Sequence, residues 1–167
     1  MCAYRAASRP EIAVTNRKLC SGDFLAQITK IASHKPWAVL LREKDLGVFQ
    51  YTALALQIAL KCEDVPLITH TYQIKGLPFY PPWASVHSIK EAKRAQELGA
   101  EFIIAGHIFE TQSKPGLPPR GLPFLRDVCA SVSIPVFAIG GVTEQNAGQC
   151  VAAGAFGICR MSYWMGI

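Results

Sequence analysis

Seven short apolar runs, centred near residues 12, 38, 67, 85, 103, 137 and 158, punctuate the chain, and most are separated by enough residues for one helix. Runs this short and this continuously apolar read as strands buried on both faces, which occur in parallel sheets crossed over by helices. Two architectures satisfy such an alternation: an open doubly wound sheet and a (β/α) barrel. In both, binding and catalytic groups collect at the carboxyl ends of the strands. An eight-stranded barrel typically takes ~250 residues, with ~200 a lower bound. The 167 residues here therefore imply a compressed barrel, an incomplete one, or an open sheet.

The helical segments follow from spacing and capping. Phe24, Ile28 and Ile31 place a helix over residues 22–34, and Leu54, Ile58 and Ala59 give residues 49–61 one buried face. Ser88 with Glu91 three residues on forms a capping-box pattern, so a helix begins there with Ile89, Ala92, Ala95 and Leu98 inward, ending at Gly99. Residues 122–131 read as a helix with Pro123 near its start. Thr143 is placed to cap a helix starting near Glu144, carrying Val151 and Ala152 and stopping at Gly154. The order breaks once, at residues 71–83, TYQIKGLPFYPPW, where three prolines and a glycine oppose both helix and inner strand. After the last strand, residues 162–167 are too few for a full closing helix.

Half of the residues are hydrophobic, enough for one core, so residues 11–167 form a single domain behind a flexible N-terminal segment, 1–10. The formal charge of +5 is made by scattered Lys and Arg with no aromatic interleaving, which favours a small anionic ligand over nucleic acid. None of the six cysteines pairs at two-residue spacing, so a thiolate metal knuckle is excluded and Cys62, Cys129, Cys150 and Cys159 read as small buried groups. No apolar run is long enough for a membrane span, and MCAYRAASRP lacks the apolar core of a secretory signal, which implies a cytoplasmic protein.

Chemistry concentrates in residues 102–120, FIIAGHIFETQSKPGLPPR, where a buried strand gives way to a polar, proline-rich loop. His107, just past the strand, is the acid–base candidate because imidazole titrates nearest neutrality. Glu110 is placed to orient it, and Lys114 or Arg120 to bind an anionic oxygen. Gly140-Gly141 before a helix allows close approach to an anion, and Ser162 follows the next strand, the placement of a barrel's phosphate site. Arg42 and Lys44 follow the second strand, where a guanidinium forks onto phosphate and an ammonium acts as a point charge. His70 and His87 hold comparable strand-end positions, and with His107 they form a histidine set without local metal-ligand spacing, so no metal is assigned.

GHIFET followed by SKPGLPPRG, then IPVFAIGG, with SVHSIKEA ahead of them, closely resembles the thiamine phosphate synthase superfamily. VTN, LLREK and ICRMS extend the likeness over residues 11–164, and the histidine in GHIFET draws it toward the thiazole tautomerase branch. The resemblance implies a TIM barrel binding a thiazole phosphate, and a tautomerase that aromatises a carboxythiazole phosphate by proton transfer without metal or redox cofactor. It makes His107 the catalytic base acting on ring carbon C2 and Arg42 the strand-end arginine near the substrate, and Glu110 joins this catalytic set from its own position beside His107. Gly140, Gly141 and Ser162 become the phosphate cradle, while Lys44, His87, Lys114 and Arg120 are further substrate-contact candidates from their positions alone.

Two departures bear on that expectation. Synthases that join a pyrimidine diphosphate to the thiazole phosphate carry an Asn-Asp pair after the third strand for magnesium, and this chain reads Ile68-Thr69-His70-Thr71 there. The family's third helix and fourth strand fall where only the proline-rich connection stands, and the C-terminal helix is absent. Lost strands expose pairing edges, which an irregular connection or a second copy in a homo-oligomer would have to cover. Synthase activity and noncatalytic thiazole-phosphate binding are the alternative functions.

Overall fold

The computed structural model describes residues 9–72, 74 and 82–166. Among these residues seven parallel strands, β1 (Glu11–Val14), β2 (Ala38–Leu41), β3 (Leu67–Thr69), β4 (Trp83–Val86), β5 (Phe102–Gly106), β6 (Val136–Ile139) and β7 (Gly157–Arg160), form one sheet. Its order is β3-β2-β1-β7-β6-β5-β4, so consecutive β3 and β4 lie at opposite edges. The sheet curls until those edges face one another. His70, just past β3, and Trp83, which opens β4, hold their rings 5.7 Å apart across the gap. The result is a shortened (β/α) barrel rather than an open doubly wound sheet.

Period-two geometry accounts for the continuous apolar strands. Ile12, Val14, Leu40, Ile68, Ile104 and Cys159 face inward into one cluster, while Ala13, Val39, Leu41, Ile103, Ala138 and Ile158 face the helices. The amino-terminal end of the interior is closed by aromatics. Trp37 meets Phe102 and Phe137 at centroid distances of 5.4 and 4.9 Å, and Trp83 stacks on Phe102 at 6.2 Å. A ligand therefore has room only at the carboxyl ends of the strands.

Among the described residues six α-helices clothe the sheet: α1 (Phe24–Ser33), α2 (Val48–Lys61), α3 (Ile89–Glu97), α4 (Gly121–Ser131), α5 (Ala147–Ala152) and α6 (Ser162–Gly166). Asp23 caps α1 by accepting from Ala26 N at 2.7 Å, and Ser88 caps α3 by accepting from Glu91 N at 3.1 Å. In α3 only Ala92 and Ala95 are buried. Ile89 and Leu98, expected inward, are 39% and 69% exposed, because so short a helix meets the sheet through its two central alanines. Residues 143–146 form a turn instead of the first turn of α5. Asn146 Oδ1 accepts from Thr143 N at 2.8 Å, and the helix buries Ala147 and Cys150 rather than Val151 and Ala152.

Cys62, Cys150 and Cys159 are buried, as their patterns predict, whereas Cys129, predicted buried with them, is only half-buried on α4, and burial pushes the Cys62, Cys129 and Cys150 thiols up to about 11. The expected flexible segment 1–10 lies outside the described residues except for Arg9 and Pro10. Pro10 O accepts from Ile158 N at 3.0 Å and Arg9 pairs with Glu144 at 2.6 Å. Most of the proline-rich connection, residues 73 and 75–81, also lies outside them. Among the described residues no helix is long and apolar enough to cross a membrane.

Candidate active site

The carboxyl ends of β5, β6 and β7 are adjacent, and the sheet ladder continues past the strands. Ile108 N donates to Ile139 O at 2.9 Å and Phe109 N to Gly140 O at 3.0 Å. This zipper lays residues 107–110 directly on Gly140-Gly141. Both glycines have positive φ, +98° and +64°, and a Cβ on the first would run into His107, on the second into Phe109 and Glu110. Asn146 fixes the turn from the other side, its Nδ2 donating to Gly141 O at 2.9 Å while its Oδ1 holds Thr143 N. Ser162 opens α6 at the end of β7 and is exposed.

His107 is 6% exposed. Its Nε2 lies 3.2 Å from Leu117 O, and since a carbonyl only accepts, Nε2 carries the proton. Its own carbonyl accepts from Arg120 N at 2.9 Å. The histidine thus pins both arms of the loop between β5 and α4. That loop encloses an open cavity of about 630 Å³ lined by Glu110, Thr111, Gln112, Lys114 and the Pro115–Pro119 segment, and the glycine turn, Ser162 and Arg42 are not in its lining. Arg120 places its guanidinium over the Phe124 ring at 5.4 Å. His87 Nδ1 lies 3.4 Å from Glu91, whose carboxylate also accepts from His87 N at 2.7 Å.

A second group of charges occupies the ends of β2 and β3. Leu41 and Thr69 are register partners, so Arg42 and His70 leave the sheet side by side. Between the basic residues Arg42 and Lys44, Glu43 is buried at 2% exposure and accepts from Thr15 Oγ1 at 2.8 Å, Arg17 N at 2.9 Å and Arg17 Nη1 at 2.9 Å. Thr15 Oγ1 in turn accepts from Arg42 N at 3.0 Å. Arg17 also forks onto Asp45, whose hydrogen bonds raise the guanidinium pKa further and hold the Asp45 carboxyl well below the usual range. The carboxylates of REKD are therefore turned toward the β1 loop, leaving Arg42 and Lys44 as the charges at the mouth.

The proximity of these cations shows in their protonation. The Lys44 ammonium is pushed below its ordinary pKa by the charge of Arg42, by burial and by Lys114 on the facing loop. His70 is lowered by burial and then by Lys44 and Arg42. Its backbone N donates to Tyr51 Oη at 2.9 Å, and Tyr51 donates to Leu41 O at 2.7 Å. Tyr51, Asn146 and Arg160 escaped the sequence reading. A tyrosine in an apolar helix and an arginine ending a strand carry no local motif, although a charge in so apolar a run as GICR was the available signal.

The (β/α) barrel sets the glycine turn and the cations at the carboxyl ends of its strands, where proteins of this architecture carry their binding groups. Comparison narrows the class. A family model described as thiamine monophosphate synthase matches residues 84–163. A protein of Aquifex aeolicus, whose name proposes it as thiamine-phosphate synthase 2, is 33% identical over 178 residues, covering 92% of this chain and 96% of that one. The chain belongs to the thiamine monophosphate synthase family. The thiamine-phosphate synthase of Pyrococcus furiosus is 42% identical over 131 residues, which cover 76% of this chain and 63% of that enzyme. In fold, a thiamine phosphate pyrophosphorylase from P. furiosus aligns with TM-score 0.79 at 23% identity over 95% of this chain and 88% of that one. A geranylgeranylglyceryl phosphate synthase from Thermoplasma acidophilum aligns at 0.67 with 12% identity, over 95% and 87%.

These comparisons correct the sequence expectation of a thiazole tautomerase. The family model and the named relatives point to the synthase, and the histidine of GHIFET, which drew the likeness toward the tautomerase, binds a loop carbonyl. Magnesium, which the synthase branch implies, meets a poor donor set. All twelve Asp and Glu fall among the described residues. Of those beyond the strand ends, Asp23 caps α1, Glu43 and Asp45 are held by Arg17, Glu91 by His87, and Glu144 by Arg9 and Arg160, leaving Glu110 on its exposed loop. Among the described residues no three His, Cys, Asp or Glu side chains gather closely enough to hold a metal ion. A hard cation wants several oxygens at once, and these residues do not fit it.

Proposed function

We propose that the protein joins a hydroxymethylpyrimidine diphosphate to a thiazole phosphate, the condensation after which its relatives are named. The reading is supported by two separate poles at the strand ends, each a group of a kind suited to an anion. One is the glycine turn with Ser162 at the ends of β6 and β7, and the other is Arg42, Lys44 and His70 at the ends of β2 and β3, faced by Lys114. A tautomerase has one phosphate and a singly charged ring carboxylate to hold, which a single guanidinium would satisfy. A synthase has a monophosphate and a diphosphate, and needs them apart with the reacting carbon and nitrogen between.

In this reading the Gly140-Gly141 turn and Ser162 hold the thiazole monophosphate. Arg42 and Lys44, with Lys114 opposite, hold the diphosphate. The thiazole nitrogen bonds to the pyrimidine methylene carbon as that carbon's bond to the diphosphate oxygen breaks, and the oxygen keeps the electron pair. Negative charge grows on the leaving diphosphate, so cations already fixed beside it lower the barrier without reorganising. Burial of the aromatic plug beneath and the Glu43–Arg17 anchor beside them keep the two poles at a set distance.

Incubating the purified chain with both substrates and following thiamine phosphate and released diphosphate tests this, with and without added magnesium. Stoichiometric appearance of both products is the expected result. Retention of both substrates under either condition rejects the assignment.

A further inference from the structure

Arg160 is a charge where the fold calls for an apolar residue. It ends β7 on the helix-facing side of the sheet, 7% exposed, in register with Ala13. Its guanidinium reaches three elements at once. Nε and Nη2 fork onto Glu11 of β1 at 2.6 and 2.7 Å, and Nη1 reaches Glu144, on the turn after Gly140-Gly141, at 3.1 Å. The guanidinium carbon lies 3.7 Å from the centroid of the Tyr163 ring in α6. Trp164 of the same helix donates its Nε1 to Glu11 at 2.6 Å, so β1 anchors the arginine and the helix together. A buried ion pair is weak evidence of stabilisation, because desolvation offsets most of the attraction, and a well-packed apolar residue would serve stability as well. The choice of arginine is instead explained by its reach.

We propose that Arg160 is a positioning residue for the phosphate cradle, fixing the turn that carries Gly140-Gly141 against the helix that begins at Ser162. The two halves of that cradle come from different strand ends, three and one residues from the groups the arginine holds: Glu144 lies three residues past Gly141, and Tyr163 follows Ser162 directly. A planar guanidinium can bridge carboxylates on either side while presenting its face to an aromatic ring. No other described side chain joins β1, the β6–α5 turn and α6 through polar contacts. The inference rests on the cradle proposed above and deepens it.

The test uses the full chain, with inorganic phosphate titrated by ³¹P NMR and the two-substrate assay run in parallel. Glu144→Gln and Tyr163→Leu each release one arm while leaving the Arg160–Glu11 fork in place. Each is expected to weaken phosphate binding and raise KM for the thiazole phosphate, by about tenfold where positioning is lost, with KM for the pyrimidine diphosphate unchanged. Arg160→Met should show the larger loss, Arg160→Lys should recover part of it, and Glu144→Gln should cost less when added to Arg160→Met than on its own, since only the pair of Glu144 with Arg9 is then left to lose. Folded Glu144→Gln and Arg160→Lys proteins with the parent's phosphate affinity would overturn the role of Arg160. A parent that binds phosphate and shows these variant effects but makes no thiamine phosphate would reject the synthase reading and leave the positioning role standing. A parent that binds no phosphate would remove the cradle, and the inference with it.

Discussion

Gly140 lies flat against His107: a Cβ built on the glycine would collide with the histidine's Cβ and come within 2.8 Å of its Cα. With φ at +98° the position also lies in the region L side chains avoid. Gly140→Ala should therefore destabilise the protein by roughly 1–3 kcal/mol from backbone strain, with the clash adding to it. Gly148→Ala is the control, because that glycine sits in α5 with open space around it and should gain about 0.5–1 kcal/mol. Thermal melts of the pair decide the matter. Equal stability would mean that the β5 loop does not rest on the turn.

Arg42 and Lys44 have different expected effects from the glycine turn. Removing Arg42 as Ala should lower kcat/KM for the pyrimidine diphosphate by about 10²-fold, the loss of one preorganised donor at the developing charge, with KM for the thiazole phosphate nearly unchanged. Lys44→Ala should act in the same direction and more weakly, since its head is exposed and screened. Steady-state kinetics with each substrate varied separately distinguish the poles. An Arg42→Ala enzyme impaired equally toward both substrates would mean one shared anion site.

What the sequence disclosed, and what it did not, follows from the range of the forces involved. Strand positions, the cap at Ser88 and the placing of His107, Gly140 and Ser162 at strand ends are local, written in apolar runs and turn residues. Barrel against open sheet depended on whether β3 and β4 face each other, a relation between residues 70 and 83 that no local pattern carries. The same holds for partners far apart in sequence. Glu43 reads as part of a charged loop, yet Thr15 and Arg17 bury it, and Arg160 reads as a strand end, yet Glu11 pairs with it across 149 positions. His107 shows the limit most clearly: its position was legible, whereas its bond to Leu117 depends on how the proline-rich loop folds back.

His70 should make stability fall on acidification. Burial first, and then Lys44 and Arg42, hold its pKa below the ordinary imidazole value. The unfolded chain takes up a proton as pH drops through about 6.5 while the folded chain does not. In the window between the two pKa values the unfolded state therefore binds more protons, and unfolding becomes easier as pH falls. Once pH is below the folded value both states are charged and the loss is complete. His70→Gln should flatten this part of the profile, as read from urea midpoints between pH 7 and 5. An identical slope in the variant would place the titrating group elsewhere.

Tyr51 tests whether the cationic pole depends on the helix behind it. Its hydroxyl, buried in α2, donates to Leu41 O at 2.7 Å and accepts from His70 N at 2.9 Å, so one oxygen fixes the end of β2 to the end of β3. Tyr51→Phe keeps the ring and its packing against Tyr72 while removing that oxygen. His70 N retains a longer bond to Leu41 O at 3.2 Å, so the cost in stability should stay near 1–2 kcal/mol, that of a buried acceptor and donor losing a partner. Loosening falls on the segment that carries Arg42 and His70. The variant should therefore bind inorganic diphosphate several-fold more weakly, on the order of the energy of one hydrogen bond, while inorganic phosphate at the glycine turn binds as in the parent. Calorimetric titration of both anions reads the two poles separately, and a parallel loss at both would show that Tyr51 supports the whole barrel instead of one side of its mouth.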